Sequence, residues 1–520
     1  MRGRGEWLLD LALWAWLLLV AVWIHVLRFT AWFNWDSQLF LAMGKWVAMG
    51  LVPYRDALEV KPPGMFLYLG ALFSVVPPST WAVRFGDFLW TLAAFWALVR
   101  LLRRPAGRLA TAVAATAYLS WHHNVFFDNG AVYTEHYGAL AGLIALACGG
   151  PVASGFWAAA AALCKHPGAA VLVAIAIYRW PGWRGRDWAV FAAAFAAPIA
   201  AVLLWLALAG AWEDFLYANL WILLRHGQFA NLPLEYRQLL LWRSVAHIAP
   251  LFPTMVAAVA LGLGAALFGH SRLAVAALAW WLVAMAGVML QGRYFEHHYL
   301  LVLPPLALMG GAGLGWITRL RPQERHAVRA LRLTAAAAVL WWCGGVVQDA
   351  VAAQRPIFEQ RWAQVWRGPV AWPQGPASEF EGAVGRYLHD RTRDGDRIHV
   401  QGYNPTLLHI YWYADRAPAA ALFYEMPFVL DRPRQLAQAI AGRPAYVVID
   451  RGAPMDPLML DWLQRDYQVE QSFGINYIVD LWRRRAELGE GDRPQLDARP
   501  ILNPIHLEAH AECVDVSLAR

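Results

Sequence analysis

Long apolar runs separated by short polar segments fill the chain up to about Ala350, and a sequence of ordinary mixed polarity comes after them. A run of about 20 apolar residues matches the hydrocarbon thickness of a bilayer. The pattern predicts membrane helices at 7–27, 81–102, 107–121, 137–149, 155–164, 168–180, 188–211, 244–268, 273–290, 299–318 and 331–350, about 11 spans in all. Several are short, 155–164 above all, and are expected to be tilted, broken or longer than the pattern shows. Two further segments, Ser37–Met49 and Met65–Val76, have only about 12 or 13 residues each and predict helices lying in the membrane surface.

Beyond the last run the periodicity changes. Glu379–Arg391 is amphipathic, Arg397–Val400 and Ala445–Ile449 are short β-rich runs, and Phe473–Leu481 reads as a closing strand or hairpin. The expected architecture is an α-helical polytopic membrane body over 1–354 and a small α/β domain over 355–485. Residues 486–520 carry Pro, Asp, Glu and Arg without apolar period and read as a poorly ordered tail.

Charge sets the sidedness. Short loops rich in Arg belong in the cytoplasm, and they contain Arg103, Arg104 and Arg108; Arg179, Arg184 and Arg186; and Arg319, Arg321, Arg325 and Arg329. With Arg2 and Arg4 also inside, residues 28–80 form an external loop and the C-terminal domain is extracytoplasmic. Trp7–Leu27 lacks the small-residue cleavage pattern of a signal peptide and reads as a retained helix.

Composition agrees with the bilayer as solvent: 59% of residues are hydrophobic, 16% are charged, and 30 are Trp. The net charge of +7 lies in topology loops rather than along one soluble face, which argues against nucleic acid as a partner. The four cysteines, Cys148, Cys164, Cys343 and Cys513, have no paired spacing and suggest neither a disulfide framework nor a zinc cluster.

Under this topology the ionisable clusters share the external side. They include Asp36; Tyr54, Arg55 and Asp56; Glu59 and Lys61; Glu135; Lys165; and Arg293, His297 and His298. The chain has only three lysines, Lys45, Lys61 and Lys165, against a background of Arg, and all three fall outside. A compact ammonium in a turn bounded by Pro and Gly suits a point contact to phosphate. Asp36, beside Trp32, Phe33 and Trp35, is placed either to take a proton from an acceptor hydroxyl or to cap the helix starting at Ser37. Glu59 and Lys61 fit a metal or a pyrophosphate-like group, or simply a mutual ion pair. Glu135 and Asp128 flank a polar loop and read as solvated charges, with an acceptor or metal contact as the other reading of Glu135. His297 and His298, with Arg293 and Glu296, fit metal or phosphate contact, or an interfacial network of their own.

The ordered series WDSQLF, GLVPYRD, EVKPPG, YTEHYGAL, CKHPG and RYFEHHYLLVLPPLAL resembles the membrane-embedded GT-C glycosyltransferases. It is most similar to bacterial relatives of protein O-mannosyltransferases and of the transferases that put aminoarabinose or galacturonic acid on lipid A. The resemblance implies an inverting transfer from a polyprenyl-phosphate sugar donor to a glycan, lipid or protein acceptor at the bacterial cytoplasmic membrane. It assigns Asp36 as general base and Lys61 as a donor-phosphate contact, with Arg293, His297 and His298 as candidate phosphate or sugar contacts; Tyr54, Arg55 and Lys165 are further donor-site candidates from their place on the external side. Two departures stand out: many members have Asp-Glu where this chain has Asp36-Ser37, and Val60 separates Glu59 from Lys61. Whether a divalent metal takes part stays open, and no nucleotide cofactor is implied. The competing class is a flippase or transporter of lipid-linked sugar, which calls for an internal repeat or midplane charges; the sequence displays neither.

Overall fold

The computed structural model describes residues 4–29, 35–124, 126–127, 132–222, 224, 233–292, 294–318, 344, 376–402, 405–424, 432–453, 455–474 and 477–485. The chain divides into two units, Met1–Asn34 with Val60–Val370, and Trp35–Glu59 with Ala371–Arg520.

The first unit is helical. Among the described residues five helices are long and apolar enough to cross a membrane: Glu6–Val26, Trp81–Ala106, Gly185–Leu208, Arg272–Gln291 and Glu296–Thr318. The expected run at 244–268 is two helices, Leu234–Leu251 and Pro253–Leu267, bent by 105° at the break. Pro253 has no N–H to donate and disfavours the helical conformation in the residue before it, and Phe252 stands outside the helical region at φ −130° and ψ 63°. The run expected from 299 begins as a 3-10 turn over Glu296–Val302 and becomes an α-helix at Leu303–Thr318. The expected span at 331–350, but for residue 344, and the tail at 486–520 lie outside the described residues.

The helix Thr134–Ala147 is buried over its whole length. Its C-terminal carbonyls are satisfied by arginines: Arg100 Nε donates to Ala147 O at 2.7 Å, and Arg179 Nη2 to Leu146 O at 2.9 Å and Cys148 O at 2.7 Å. At the same end of the unit Arg103 and Arg108 both pair with Asp10, Arg108 Nε at 2.6 Å, tying the Arg4–Phe29 helix to its neighbours. With 14 residues this helix rises about 21 Å, so the arginine end lies well away from the end that carries Glu135.

Glycines set the close approaches that matter for the site. A Cβ on Gly64 would lie 2.6 Å from Leu163 C, so the turn Lys61-Pro62-Pro63-Gly64 rests directly on the backbone leading into Lys165. A Cβ on Gly138, one turn beyond Glu135, would stand 3.5 Å from Lys165 Cβ, so the lysine stem passes in van der Waals contact with this helix.

The second unit is an α/β sheet with an added helix. Strands β1 (Arg397–Gln401), β2 (Ala417–Pro418), β3 (Tyr446–Asp450), β4 (Tyr467–Phe473) and β5 (Val479–Arg484) lie in the order β2-β1-β3-β5-β4. β1 is parallel to β2 and to β3, whereas β5 is antiparallel to β3 and to β4. Every residue of β3 is buried, the apolar run Tyr446–Ile449 as expected of a strand covered on both faces and Asp450 at its end. The helices Arg432–Gly442 and Pro457–Asp466 cover one core, in which Leu436, Ala439, Val447, Ile449, Trp462 and Leu463 pack together.

To this sheet the chain adds the segment Trp35–Glu59. Trp46 Nε1 donates to Arg416 O at 3.1 Å, Lys45 pairs with Asp415 at 2.5 Å, and Leu58 N donates to Ala421 O at 2.8 Å. The ring of Trp46 meets Tyr411 and Phe423 edge-on at 5.5 and 5.1 Å.

Candidate active site

In the first unit Lys61, Glu135, Lys165, His297 and His298 gather at one place. Glu135 occupies the first turn of the Thr134–Ala147 helix, where the positive end of the helix dipole favours a carboxylate. It is 1% exposed, so it is not a solvated loop charge. Lys165 Nζ lies 2.6 Å from Glu135 Oε1 and His298 Nε2 lies 3.9 Å from the same oxygen. Lys61 and Lys165 both lie within electrostatic reach of His298. His297 stacks on Tyr133 with ring centroids 4.4 Å apart and planes within 7°. The two histidines lie in the 3-10 turn Glu296–Val302, which leads into the helix Leu303–Thr318, and Pro304 and Pro305 stand in that helix's first turn, where a missing N–H costs no intrahelical hydrogen bond.

Glu135, His297 and His298 each offer a ligand atom, and these atoms lie within 4.8 Å of one another. Two imidazoles and a carboxylate fit a divalent ion of the zinc type. The ammonium of Lys165 competes for that carboxylate, so metal binding would have to displace or share it. Arg293 lies outside the described residues.

The second unit holds the other expected residues. Asp36 is the second residue of the Trp35–Ala48 helix, not its cap, and is 7% exposed. Glu59 is fully buried and its Oε2 accepts from the Tyr424 hydroxyl at 2.6 Å. Tyr54 is fully buried at φ 71°, a conformation costly for an aromatic residue, held by its N–H donating to Ala57 O at 2.8 Å. Arg55 is half-exposed and paired with Asp56 at 2.7 Å. Burial opposes ionisation of Asp56, but the hydrogen bonds from Arg55 and from Val52 N–H outweigh it and hold the carboxyl below its usual range. The lysines therefore differ in use: Lys45 is a structural tie to Asp415 and the carbonyl of Trp412, while Lys61 and Lys165 belong to the polar cluster of the first unit.

A buried polar network in the first unit was not anticipated from the sequence. His25 Nε2 is hydrogen-bonded to Thr91 Oγ1 at 2.9 Å, and its ring meets that of His123 at 5.2 Å. His122 and His136 share a hydrogen bond, and Tyr137 donates to Asp87 at 2.6 Å beside Arg84. The available signals were the His122-His123 pair closing an apolar run and His136 within YTEHYGAL. Nothing in the chain marked Tyr424.

No family model and no curated protein sequence matches the chain. Solved structures do. ArnT from Cupriavidus metallidurans bound to undecaprenyl phosphate aligns at 15% identity over 92% of this chain and 98% of that one, with a TM-score of 0.52. The same protein in the apo state aligns at 13% identity over the same shares, with a TM-score of 0.51. An Archaeoglobus fulgidus oligosaccharyltransferase in complex with Zn and sulfate aligns at 14% identity over 91% of this chain and 74% of that one, with a TM-score of 0.47. At these identities the likeness speaks for architecture, and the architecture is the GT-C fold that ArnT adopts.

Proposed function

We propose that the chain is an inverting glycosyltransferase of the bacterial cytoplasmic membrane, moving a hexosyl or pentosyl group from a polyprenyl-phosphate donor to an extracytoplasmic acceptor. The acceptor class is lipid A or another glycan, or a protein. The observation that carries the reading is the gathering of Lys61, Lys165, Glu135, His297 and His298 in a body whose fold is that of a protein solved with undecaprenyl phosphate bound.

In the proposed reaction the acceptor hydroxyl loses its proton to Asp36 as its oxygen attacks the anomeric carbon, and the bond from that carbon to the phosphate oxygen breaks. Negative charge grows on the departing lipid phosphate. Fixed ammonium and imidazole groups stabilise that charge without reorganising, the role given to Lys61, Lys165, His297 and His298. Tyr54 and Arg55 are the remaining candidates for donor contact. A divalent ion held by Glu135, His297 and His298 would add positive charge for the same phosphate.

The test is transfer by the purified protein in lipid vesicles from labelled polyprenyl-phosphate sugar. Asp36→Asn is expected to leave a folded, inserted protein and to abolish transfer; wild-type turnover in that variant removes Asp36 from the mechanism. Movement of labelled lipid across the vesicle with no new glycosidic bond would make the chain a flippase instead.

A further inference from the structure

The residues that open the Thr134–Ala147 helix reach both histidines of the candidate site. Glu135 takes His298, whose Nε2 lies 3.9 Å from Glu135 Oε1. Tyr133, two residues earlier, takes His297: the rings lie face to face, with centroids 4.4 Å apart and planes within 7°. Tyr133 is itself closely held. It is 2% exposed, its backbone is extended at φ −110° and ψ 149° directly before the helix, and its carbonyl accepts from Tyr137 N–H at 3.4 Å. Two further rings border the same imidazole, Phe295 at 5.6 Å with planes 25° apart and His298 edge-on at 4.7 Å. An imidazole makes its hydrogen bonds and metal bonds in the plane of the ring, because each nitrogen carries its N–H or lone pair there. The torsion that turns a histidine ring about its stem is broad, so the side chain alone does not settle where that edge points. A parallel neighbour fixes the plane and leaves the edge open. Here one ring nitrogen of His297 is held within 4.8 Å of the Glu135 carboxylate and of a His298 nitrogen.

We propose that Tyr133 is a positioning residue for His297: its ring fixes the plane of the imidazole and so aims the imidazole edge at the place where Glu135 and His298 converge. The proposal rests on the reading of His297 as a group that stabilises the departing phosphate. A group already oriented stabilises developing charge without reorganising, so loss of the aromatic platform acts on the rate of transfer rather than on donor binding. Tyr133 does this without touching the reacting atoms.

Tyr133→Leu removes the aromatic face, and Tyr133→Phe keeps it. The assay uses the full chain in lipid nanodiscs and the radiolabelled polyprenyl-phosphate-sugar fraction extracted from cells lacking the chain. Tyr133→Leu is expected to lower kcat about tenfold with the donor KM unchanged, the size of effect that loss of one aromatic pair gives. Tyr133→Phe should keep most of the wild-type rate, because the face remains. His297→Ala should lower kcat at least as far as Tyr133→Leu, and the two combined should be no worse than His297→Ala alone. If Tyr133→Leu does not fold, Tyr133→Met, whose flexible chain adapts to the space without a flat face, replaces it in every comparison. A wild-type kcat in the variant without the face, a change in KM alone, additive losses, or a Tyr133→Phe variant as slow as Tyr133→Leu would overturn the proposal.

Acylation of histidine by diethyl pyrocarbonate, read by mass spectrometry, tests the link without turnover. Tyr133→Leu is expected to raise the rate at His297 and Tyr133→Phe to leave it unchanged. Both should leave the rate unchanged at His25, which is buried and hydrogen-bonded to Thr91 in the same unit. If the wild-type protein transfers no sugar, the transferase reading falls, and the labelling still decides the role of Tyr133. An unchanged rate at His297 rejects the platform, and a rise at His25 as well makes Tyr133 a general support of the unit instead.

Discussion

Glu135 and Lys165 are the residues whose environment departs most from what their neighbours in the sequence suggest. Side chains 2% and 12% exposed hold an ion pair at 2.6 Å. Charges taken out of water are tolerated only in company, and removing one partner strands the other. Lys165→Met should therefore destabilise the protein by about 3–5 kcal/mol, whereas Glu135→Gln combined with Lys165→Met should recover most of that loss. Thermal unfolding of the purified protein in detergent measures both, and a double variant as unstable as Lys165→Met would mean that the pair is not what stabilises this corner. The same residues show what spacing could reveal. Glu135 and Lys165 were both legible as candidates, but their pairing across 30 positions was not, because the partners meet only when two helices pack.

At the scale of elements, the turns EVKPPG and CKHPG come together because glycine lets one backbone rest on the other. Gly64 has no room for a side chain: its Cβ would stand 2.6 Å from the backbone carbon of Leu163, which cannot swing aside as a side-chain tip can. Gly64→Ala should cost about 1–3 kcal/mol and pull Lys61 away from His298. Melting temperature and donor KM are the measurements, and a variant that matches wild type in both would show the contact to be slack. Helix positions were legible from the apolar runs but their ends were not: the helix expected to stop at 102 continues through Arg103 and Arg104 to Ala106. The bend of 105° at Phe252–Pro253 hid inside a single run, since hydropathy does not record a missing N–H.

For the molecule as a whole, the consequential feature is membership. Trp35–Glu59 is held by Arg416, Asp415, Ala421 and Tyr424 of the sheet domain. A chain ended after Val370 should therefore leave residues 35–59 without those partners. Limited proteolysis read by mass spectrometry should find new cleavage within this segment, together with loss of sugar transfer. Continued protection of 35–59 in the shortened chain would mean that the first unit holds the segment by itself.

The sequence alone pointed to several membrane-length helices and to the α/β character of the C-terminal region, because apolar run length and strand-forming runs are local properties of the chain, and its ordered motifs pointed by resemblance to the GT-C architecture. It also pointed to the ionisable residues worth pursuing. Tertiary structure decided which of them meet. Glu135 acquired Lys165 and His298, Lys45 became a tie to Asp415, and Glu59 acquired Tyr424 from a position 365 residues away. Burial, not residue type, turned these side chains from solvated charges into partners: a group withdrawn from water must find its counterpart wherever the fold brings one.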